Sequence, residues 1–358
     1  MDKRRGCFFG GIVVGIIMIV VFTVVLFNNE GRAVNRKKAL ENIDNAVEIS
    51  SAVDGDLIIM SGEAQTDAVI TDDVFMVEAP ENTIKMKKTV SMYQWVEHSE
   101  TDDNDNVTYT YKKEWSTSLQ DSSGFHTQAG HENPAAMIYS SNRYTANEVK
   151  IGEYTLESVF VDKLNKYQPY SNMHVPVKDL KFSLNENKIF ISESGTTSIT
   201  SPGIGDYLIE YEIVQGETIT IVGGKTGSTI ISYYTKNGNL NEVSYGIKDK
   251  AVLKQEKIDE NNRLTWIIRI GSIIALMAAF GMLFSPLTTL LGRVPILGSI
   301  VTGGAALIGG VLGGAWGIIV IAIGWLYFKP VLAISMIVGV VAIVVLVSRA
   351  KKHQQSTL

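Results

Sequence analysis

Cysteine is almost absent from the sequence. The 358 residues contain one cysteine, Cys7, at the start of an apolar run. A single cysteine cannot form a disulfide within the chain, and it cannot supply the paired thiolates of a cysteine-based zinc site. A folded domain in this chain must therefore be stabilised by an ordinary hydrophobic core, for which the chain is long enough.

Two common signatures of catalytic and nucleotide-binding sites are also missing. The stretch SPGIGDY, residues 201–207, lacks the G-x-S-x-G pattern of a nucleophile elbow. The stretch IVGGKTGST, residues 221–229, contains Gly-Lys-Thr, but a phosphate-binding loop needs a glycine five residues before Gly224. The chain has Ile219 at that position. We therefore predict a protein without enzymatic activity and without a cofactor.

Charged residues are scarce in four long stretches. Each stretch reaches or nearly reaches the roughly 20 residues that cross a hydrocarbon core of about 30 Å. Three contain no charge, and the second contains only Arg269, which we expect to extend to the membrane interface. The predicted transmembrane helices are residues 7–27, 266–284, 300–328 and 330–347.

Lysine and arginine flank the first and last of these stretches. They predict that the N-terminus, residues 1–6, and the basic tail, residues 348–358, are both cytoplasmic. An even number of spans then places residues 28–265 on the exoplasmic side, in the lumen or outside the cell. This segment holds 36 of the acidic residues against 23 basic ones. An acidic domain of this kind excludes nucleic acid as a partner recognised through bulk charge.

The exoplasmic segment alternates strand-like stretches with turn signals, and both of its ends are helix-like. Asn237-Gly238 favours a tight hairpin. Residues 248–266 lack glycine and proline, which predicts a helix that continues into the second span. The predicted fold is an α+β membrane protein with four transmembrane helices and a large β-rich exoplasmic domain flanked by helices.

Aromatic residues recur in SMYQWVEHSETDDNDNVTYTYKKEWS, residues 91–116, on both sides of an acidic tip. We interpret this stretch as a structural hairpin in which Tyr93 and Trp95 face Tyr111 and Trp115, rather than as a ligand-binding face. Alternation along the strands predicts that four other side chains are available for another face. These are Gln94, Glu97, Lys112 and Glu114.

The main candidate for a catalytic or metal site is FHTQAGHENPAAM, with His126, His131 and Glu132. A spacing of five suits neither one face of a helix nor one face of a strand. We therefore predict no metal site and no catalytic residue here. A membrane-associated enzyme that uses these three groups remains an alternative.

Glycine is concentrated in the third span. Gly309, Gly310, Gly313, Gly314 and Gly317 form small-xxx-small pairs, which allow helix backbones to approach closely. We predict that they pack against another span or a second copy of the chain. A channel or transporter is the alternative, although the last three spans carry no acidic residue.

Several of these stretches in combination resemble the transmembrane protein 43 family, also called LUMA. They are VSMYQWVE, YTYKKEWS, GHENPAAM, VKIGEYTLESVFVDKL, NNRLTWIIRIG and GWLYFKP. The resemblance extends over nearly the whole chain and is most specific at a small set of residues. These family-motif residues are Tyr93, Trp95, Trp115, His131, Asn133 and Pro134.

The resemblance implies a multi-span protein without known enzymatic activity that acts as a scaffold for membrane-protein complexes. Animal members lie in the endoplasmic reticulum and inner nuclear membrane and associate with lamins and emerin. The short tail and the Lys-, Asn- and Ile-rich composition favour a prokaryotic or protist homologue, which would lie in the cell membrane if prokaryotic. The expected partners are the lipid bilayer, other membrane proteins and a second copy of the chain.

Overall fold

The computed structural model describes residues 2–102, 106–170, 182–185, 188–196, 198–291, 298–331, 333–335 and 338. The chain divides into two compact units. The helical unit comprises Met1–Asn45, Tyr234–Leu240 and Asp249–Leu358, and the β-rich unit comprises Ala46–Tyr233 and Asn241–Lys248.

Helices and strands are numbered along the chain. The α-helices are α1 Asp2–Leu40, α2 Ser158–Asp162, α3 Lys250–Leu291 and α4 Gly298–Phe328, and 3-10 turns lie at Glu41–Asn45, Ile49–Ser51 and Ser122–Gly124. The strands are β1 Val47–Glu48, β2 Leu57–Gln65, β3 Thr71–Asp72, β4 Val77–Glu78, β5 Thr83–Thr101, β6 Val107–Ser116, β7 Asn142–Thr145, β8 Lys150–Ile151, β9 Tyr154–Leu156, β10 Gln168–Pro169, β11 Phe182–Asn185, β12 Lys188–Ile191, β13 Tyr207–Gln215, β14 Thr218–Thr226, β15 Thr229–Ile231, β16 Tyr233–Thr235, β17 Gly238–Leu240 and β18 Glu242–Tyr245.

Three helices among the described residues are long and apolar enough to cross a membrane. Their candidate spans are Gly11–Asn45, Lys250–Leu283 and Leu307–Phe328. They contain most or all of the first three predicted spans. The predicted fourth span, residues 330–347, and the basic tail lie largely or wholly outside the described residues, so a four-span architecture stays a prediction.

Two of these helices are longer than the apolar runs that they contain. α1 continues through residues 28–40, and α3 begins at Lys250, well before the predicted second span. Neither extension contains a proline, so no backbone donor is lost and nothing interrupts the helical hydrogen bonds. The prediction of a helix leading into the second span is confirmed, and both helices extend into the segment 28–265 that the sequence assigned to the domain.

The β-rich unit contains two seven-stranded sheets. In the first, the strand order is β1-β2-β8-β9-β15-β14-β18, and β14 also pairs with β2, which closes the path through five strands. In the second, the order is β11-β12-β13-β5-β6, with β10 on β13 and β7 on β5. Side chains from both sheets contribute to one hydrophobic core.

The long strand β5 shows why this core forms. Ile84, Met86, Val90 and Met92 alternate along the strand, and all four are buried. A period of two directs alternate side chains to the same face of a sheet. Lys88 lies in the same alternation and is therefore buried with them.

The predicted turn at Asn237-Gly238 is confirmed. It connects β16 to β17, and Gly238 has a φ of +132°. Residues with side chains rarely adopt this backbone conformation, which explains the glycine.

Candidate functional site

The aromatic hairpin predicted from residues 91–116 is formed by β5 and β6. The two strands pair antiparallel from Met92 opposite Ser116 to Thr101 opposite Val107. The rings of Tyr93 and Trp115 lie opposite each other with their centroids 5.2 Å apart, as the predicted cross-strand pairing requires.

The register differs from the prediction at the next positions. Trp95 lies opposite Lys113, whose Nζ is 4.8 Å from the centre of the indole ring. Tyr111 lies opposite Glu97 and donates its hydroxyl hydrogen to the Glu97 carboxylate at 2.7 Å. The assignment of Glu97 to the opposite face is therefore wrong, because residues 93, 95 and 97 alternate onto the same side of the strand.

The loop that follows β6 folds back onto the aromatic face, and Asn133 attaches it. The backbone N–H of Trp95 donates to Asn133 Oδ1 at 2.8 Å, and Asn133 Nδ2 donates to the carbonyl oxygens of Trp95 at 2.9 Å and Gln120 at 3.1 Å. The Asn133 backbone N–H donates to Ser122 Oγ at 3.0 Å. The Asn133 side chain thus links the loop to strand β5 through both its amide oxygen and its amide nitrogen.

The two histidines of this loop contact the tyrosines of β6. The His131 ring stacks on Tyr111 with centroids 3.9 Å apart and contacts the edge of Trp95 at 4.7 Å. The His126 ring stacks on Tyr109 at 4.3 Å, and its backbone N–H donates to Glu97 at 2.6 Å. His126 and His131 are five residues apart in an irregular loop. Each imidazole stacks on a different tyrosine, and the two tyrosines lie on the same face of β6.

Glu132 and Pro134 make other contacts in the same loop. The Glu132 carboxylate accepts the backbone N–H of Gly130 at 3.1 Å. Backbone hydrogen bonds from Glu132 itself and from Gly130 lower the pKa of this exposed carboxyl, so it is ionised at neutral pH. Pro134 lies against Gly205, where an added Cβ would be 3.3 Å from Pro134 Cγ. Among the described residues, no three His, Cys, Asp or Glu side chains converge as a metal site would require.

Four of the five predicted packing glycines of α4 lie against α3, and Gly314 does not. A Cβ added to Gly309 would lie 2.6 Å from the backbone of Gly281, and one added to Gly313 would lie 2.5 Å from Met277 Cα, so α3 and α4 are in backbone contact. Gly317 and Gly310 approach side chains of α3 at 2.8 and 3.3 Å in the same test. Gly314 has no described atom within 4 Å.

A buried polar cluster lies near one end of the helices, and the sequence analysis missed it. The Glu30 carboxylate of α1 accepts hydrogen bonds from Arg269 Nε at 2.7 Å and Nη2 at 2.6 Å. Trp325 Nε1 of α4 donates to the same carboxylate at 2.9 Å. Glu30 is fully buried and Arg269 is 6 % exposed. The sequence did not predict this partner. A carboxylate on the neighbouring helix neutralises Arg269, and its extension to the membrane interface stays a prediction.

A second polar layer lies next to this pair. Arg32 donates to Asn29 Oδ1 at 3.0 and 3.2 Å, to Asn261 Oδ1 at 2.8 Å and to Thr265 Oγ1 at 2.9 Å. Asn29 Nδ2 in turn donates to the Thr265 carbonyl at 3.1 Å. The sequence did contain a signal for this cluster: Glu30 and Arg32 lie within two helical turns of the end of the first apolar run.

The β-rich unit contains another buried charged group. Asp72 accepts the hydroxyl hydrogen of Tyr211 at 2.5 Å and an ammonium hydrogen of Lys88 at 2.9 Å. Burial raises the pKa of the Asp72 carboxyl, but hydrogen bonds from Tyr211, Lys88 and the Val74 backbone outweigh it, so the pKa is below its usual value. Burial and the adjacent carboxylate raise the pKa of Tyr211, which therefore stays protonated. This arrangement keeps a paired ionised group within the core.

Comparison with known proteins agrees with the resemblance noted from the sequence. The chain is 24 % identical to human transmembrane protein 43, and the alignment covers 96 % of this chain and 90 % of the human protein. It is 25 % identical to the rat protein over the same shares, and 27 % identical to a Drosophila melanogaster homologue over 63 % of each chain. No solved structure matches significantly. A model of the transmembrane protein 43 family matches residues 92–330, which is more than half of the chain and includes the aromatic hairpin and the helices α3 and α4. The chain therefore belongs to the transmembrane protein 43 family.

Proposed function

We propose that this protein is a non-enzymatic membrane scaffold, in which the helical unit holds the chain in the bilayer and the β-rich unit recruits other membrane proteins. Membership of the family and three bilayer-length helices support the membrane part. The recruiting part is supported by one observation, the aromatic hairpin. Its Glu97 carboxylate and the rings of His126 and His131 hold the following loop against the strands.

Two details of the hairpin carry this argument. The His131 ring is held between Tyr111 and Trp95, and the Glu97 carboxylate accepts from both Tyr111 and the His126 backbone. These contacts fix the loop and occupy both the Glu97 carboxylate and the His131 ring. In addition, β6 is the last strand in its sheet order, and most of its residues are exposed. An exposed edge strand can bind a partner by main-chain hydrogen bonds.

Photocrosslinking tests the scaffold function. A photoreactive amino acid replaces Lys112, an exposed residue of β6, and in a matched variant it replaces Asn147, an exposed residue elsewhere in the β-rich unit. In membranes of the native host we expect defined membrane-protein adducts from position 112 and not from position 147. Equal adducts from both positions, or none from position 112, would contradict recruitment through the hairpin edge.

The enzymatic alternative predicts a different result. A hydrolytic activity that is lost in Glu132→Gln and His131→Gln, but kept in Glu81→Gln, would replace the scaffold proposal. Glu81 is an exposed carboxylate of the same unit, so its substitution controls for the change in surface charge.

We further propose that both termini are cytoplasmic and that the β-rich unit lies on the opposite side of the membrane. The basic flanks support this orientation. The membrane is the cell membrane in a prokaryotic source, and the endoplasmic reticulum or inner nuclear membrane in a eukaryotic one. In a Cys7→Ser background expressed in the cell membrane of a prokaryotic host, an impermeant thiol reagent should label Lys112→Cys from outside intact cells, and Gln354→Cys only after permeabilisation. Labelling of position 354 in intact cells would overturn the orientation.

A further inference from the structure

A groove of about 560 Å³ lies in the helical unit, beside the end of α4. Its lining combines cationic side chains with aromatic ones. They are Lys37 and Lys38 of α1, Trp266 and Arg269 of α3, and Phe328 and Lys329 at the end of α4. We propose that this groove binds the phosphate headgroup of an anionic phospholipid. This inference does not depend on the scaffold function.

The charge of the groove is the first argument. Arg269 is already neutralised by Glu30, which leaves Lys37, Lys38 and Lys329. None of these three lysines forms an ion pair with a carboxylate among the described residues. Among the described residues of the lining, Glu41 is the only acidic one. The unpaired charge is therefore positive, as a phosphate diester requires.

The second argument is the level of the groove along the helices. The apolar run of α1 ends at residue 27, and the groove begins at Ala33, just beyond it. Trp266, Phe328 and the neighbouring Tyr327 lie at the same end of the helices, and aromatic residues of this kind concentrate at the membrane–water interface. A groove at this level meets lipid headgroups, and lysine side chains near a membrane surface attract anionic ones.

The third argument is the apolar rim. The side chain of Trp266 is 59 % exposed and that of Val331 is 82 % exposed, and both line the groove. A soluble anion would leave these surfaces in water. The glycerol and upper acyl chain of a phospholipid would cover them while the phosphate meets the lysines. The combination of cations and exposed apolar side chains therefore favours a lipid over a free phosphate.

Bromolipid quenching of tryptophan tests the proposal with the full chain in lipid nanodiscs. The signal of Trp266 is the difference between the wild-type protein and Trp266→Phe. We expect brominated phosphatidylglycerol to quench Trp266 more strongly than brominated phosphatidylcholine. Lys37→Gln/Lys38→Gln should lower this preference roughly fivefold for each lysine removed. High salt should also reduce it.

The matched control is Lys236→Gln/Arg263→Gln, which removes two exposed cations of the same unit outside the groove. It should keep the wild-type preference, and an equal loss in both double variants would overturn a specific site. If the first double variant does not fold, Lys329→Gln alone tests the same site. Competition by millimolar glycerol phosphate as effective as that by phosphatidylglycerol would identify a soluble anion instead and would also overturn the lipid proposal.

Discussion

Glu30 and Arg269 are 239 residues apart in the chain, and they form a two-point ion pair with N–O distances of 2.7 and 2.6 Å between α1 and α3. Trp325 of α4 donates a third hydrogen bond to the same carboxylate. One acidic residue therefore links α1, α3 and α4. Ionisable groups of this kind within membrane helices are rare and are usually paired or functional.

The Glu30–Arg269 pair gives the first prediction. Glu30→Ala leaves the Arg269 guanidinium buried without a partner, which should reduce stability by about 3–5 kcal/mol. Glu30→Leu/Arg269→Leu removes both charges, and we expect it to be closer to the wild type than either single variant. Chemical denaturation in detergent micelles, followed by tryptophan fluorescence, measures the difference. If the loss of unfolding free energy in the double variant equals the sum of the losses in the two single Leu variants, the two groups are not coupled.

The glycines of α4 give the second prediction. Gly313→Leu should weaken the contact between α3 and α4 by about 1–3 kcal/mol, because the new side chain meets the Met277 backbone. Gly314→Leu is the matched control, since nothing described lies within 4 Å of an added Cβ there. Thermal unfolding of the full chain in micelles compares the two variants.

The same pair of variants tests the predicted role of a second copy. If Gly314 packs against another chain, Gly314→Leu should reduce the mass of the assembly measured by light scattering while the unfolding temperature stays unchanged. Unchanged assembly and altered ion conductance in reconstituted vesicles would instead favour the channel alternative.

Asn133 gives the third prediction. Asn133→Ala removes hydrogen bonds to Trp95 and Gln120, and we expect a loss of about 1–3 kcal/mol together with faster proteolysis within residues 120–132. Limited proteolysis of the full chain in micelles measures the second effect directly. Asn147→Ala, at an exposed position of the same unit, should show neither change.

The buried Asp72 gives a prediction for pH. Its pKa is lower in the folded chain than the unfolded value of about 3.9, so its contribution to stability is complete above that value. The contribution is lost as the pH falls through the lower pKa of the folded state. Asp72→Asn should therefore reduce stability at pH 7 by about 3 kcal/mol and flatten the dependence of stability on pH below about 4.

Urea denaturation of a full-length background in which Trp266, Trp316 and Trp325 are replaced by Phe, followed between pH 2.5 and pH 7 by the fluorescence of Trp95 and Trp115, measures this dependence. Asp67→Asn is the control, because it removes an exposed carboxylate of the same unit. An unchanged acid profile in Asp72→Asn would show that other carboxylates dominate the acid response.

The hairpin shows both what the sequence predicts and where prediction fails. The pairing of Tyr93 with Trp115 follows from their symmetric distance to the acidic tip. The side of the strand on which Glu97 lies follows from simple alternation, and the sequence analysis assigned it wrongly. The placement of His126 and His131 on Tyr109 and Tyr111 was not predictable, because an irregular loop has no period from which side-chain direction can be inferred.

The sequence alone determined the apolar helices, the β-rich segment between them and the family, because these depend on local composition and on residues that are close in the chain. Only the tertiary structure decided the partners of buried charges. Lys88 is 16 residues from Asp72, and Arg269 lies on a different helix from Glu30. A charge enters a core or a helix bundle only where another chain segment supplies its counter-charge. That match depends on how the segments pack, and no local pattern in the sequence records it.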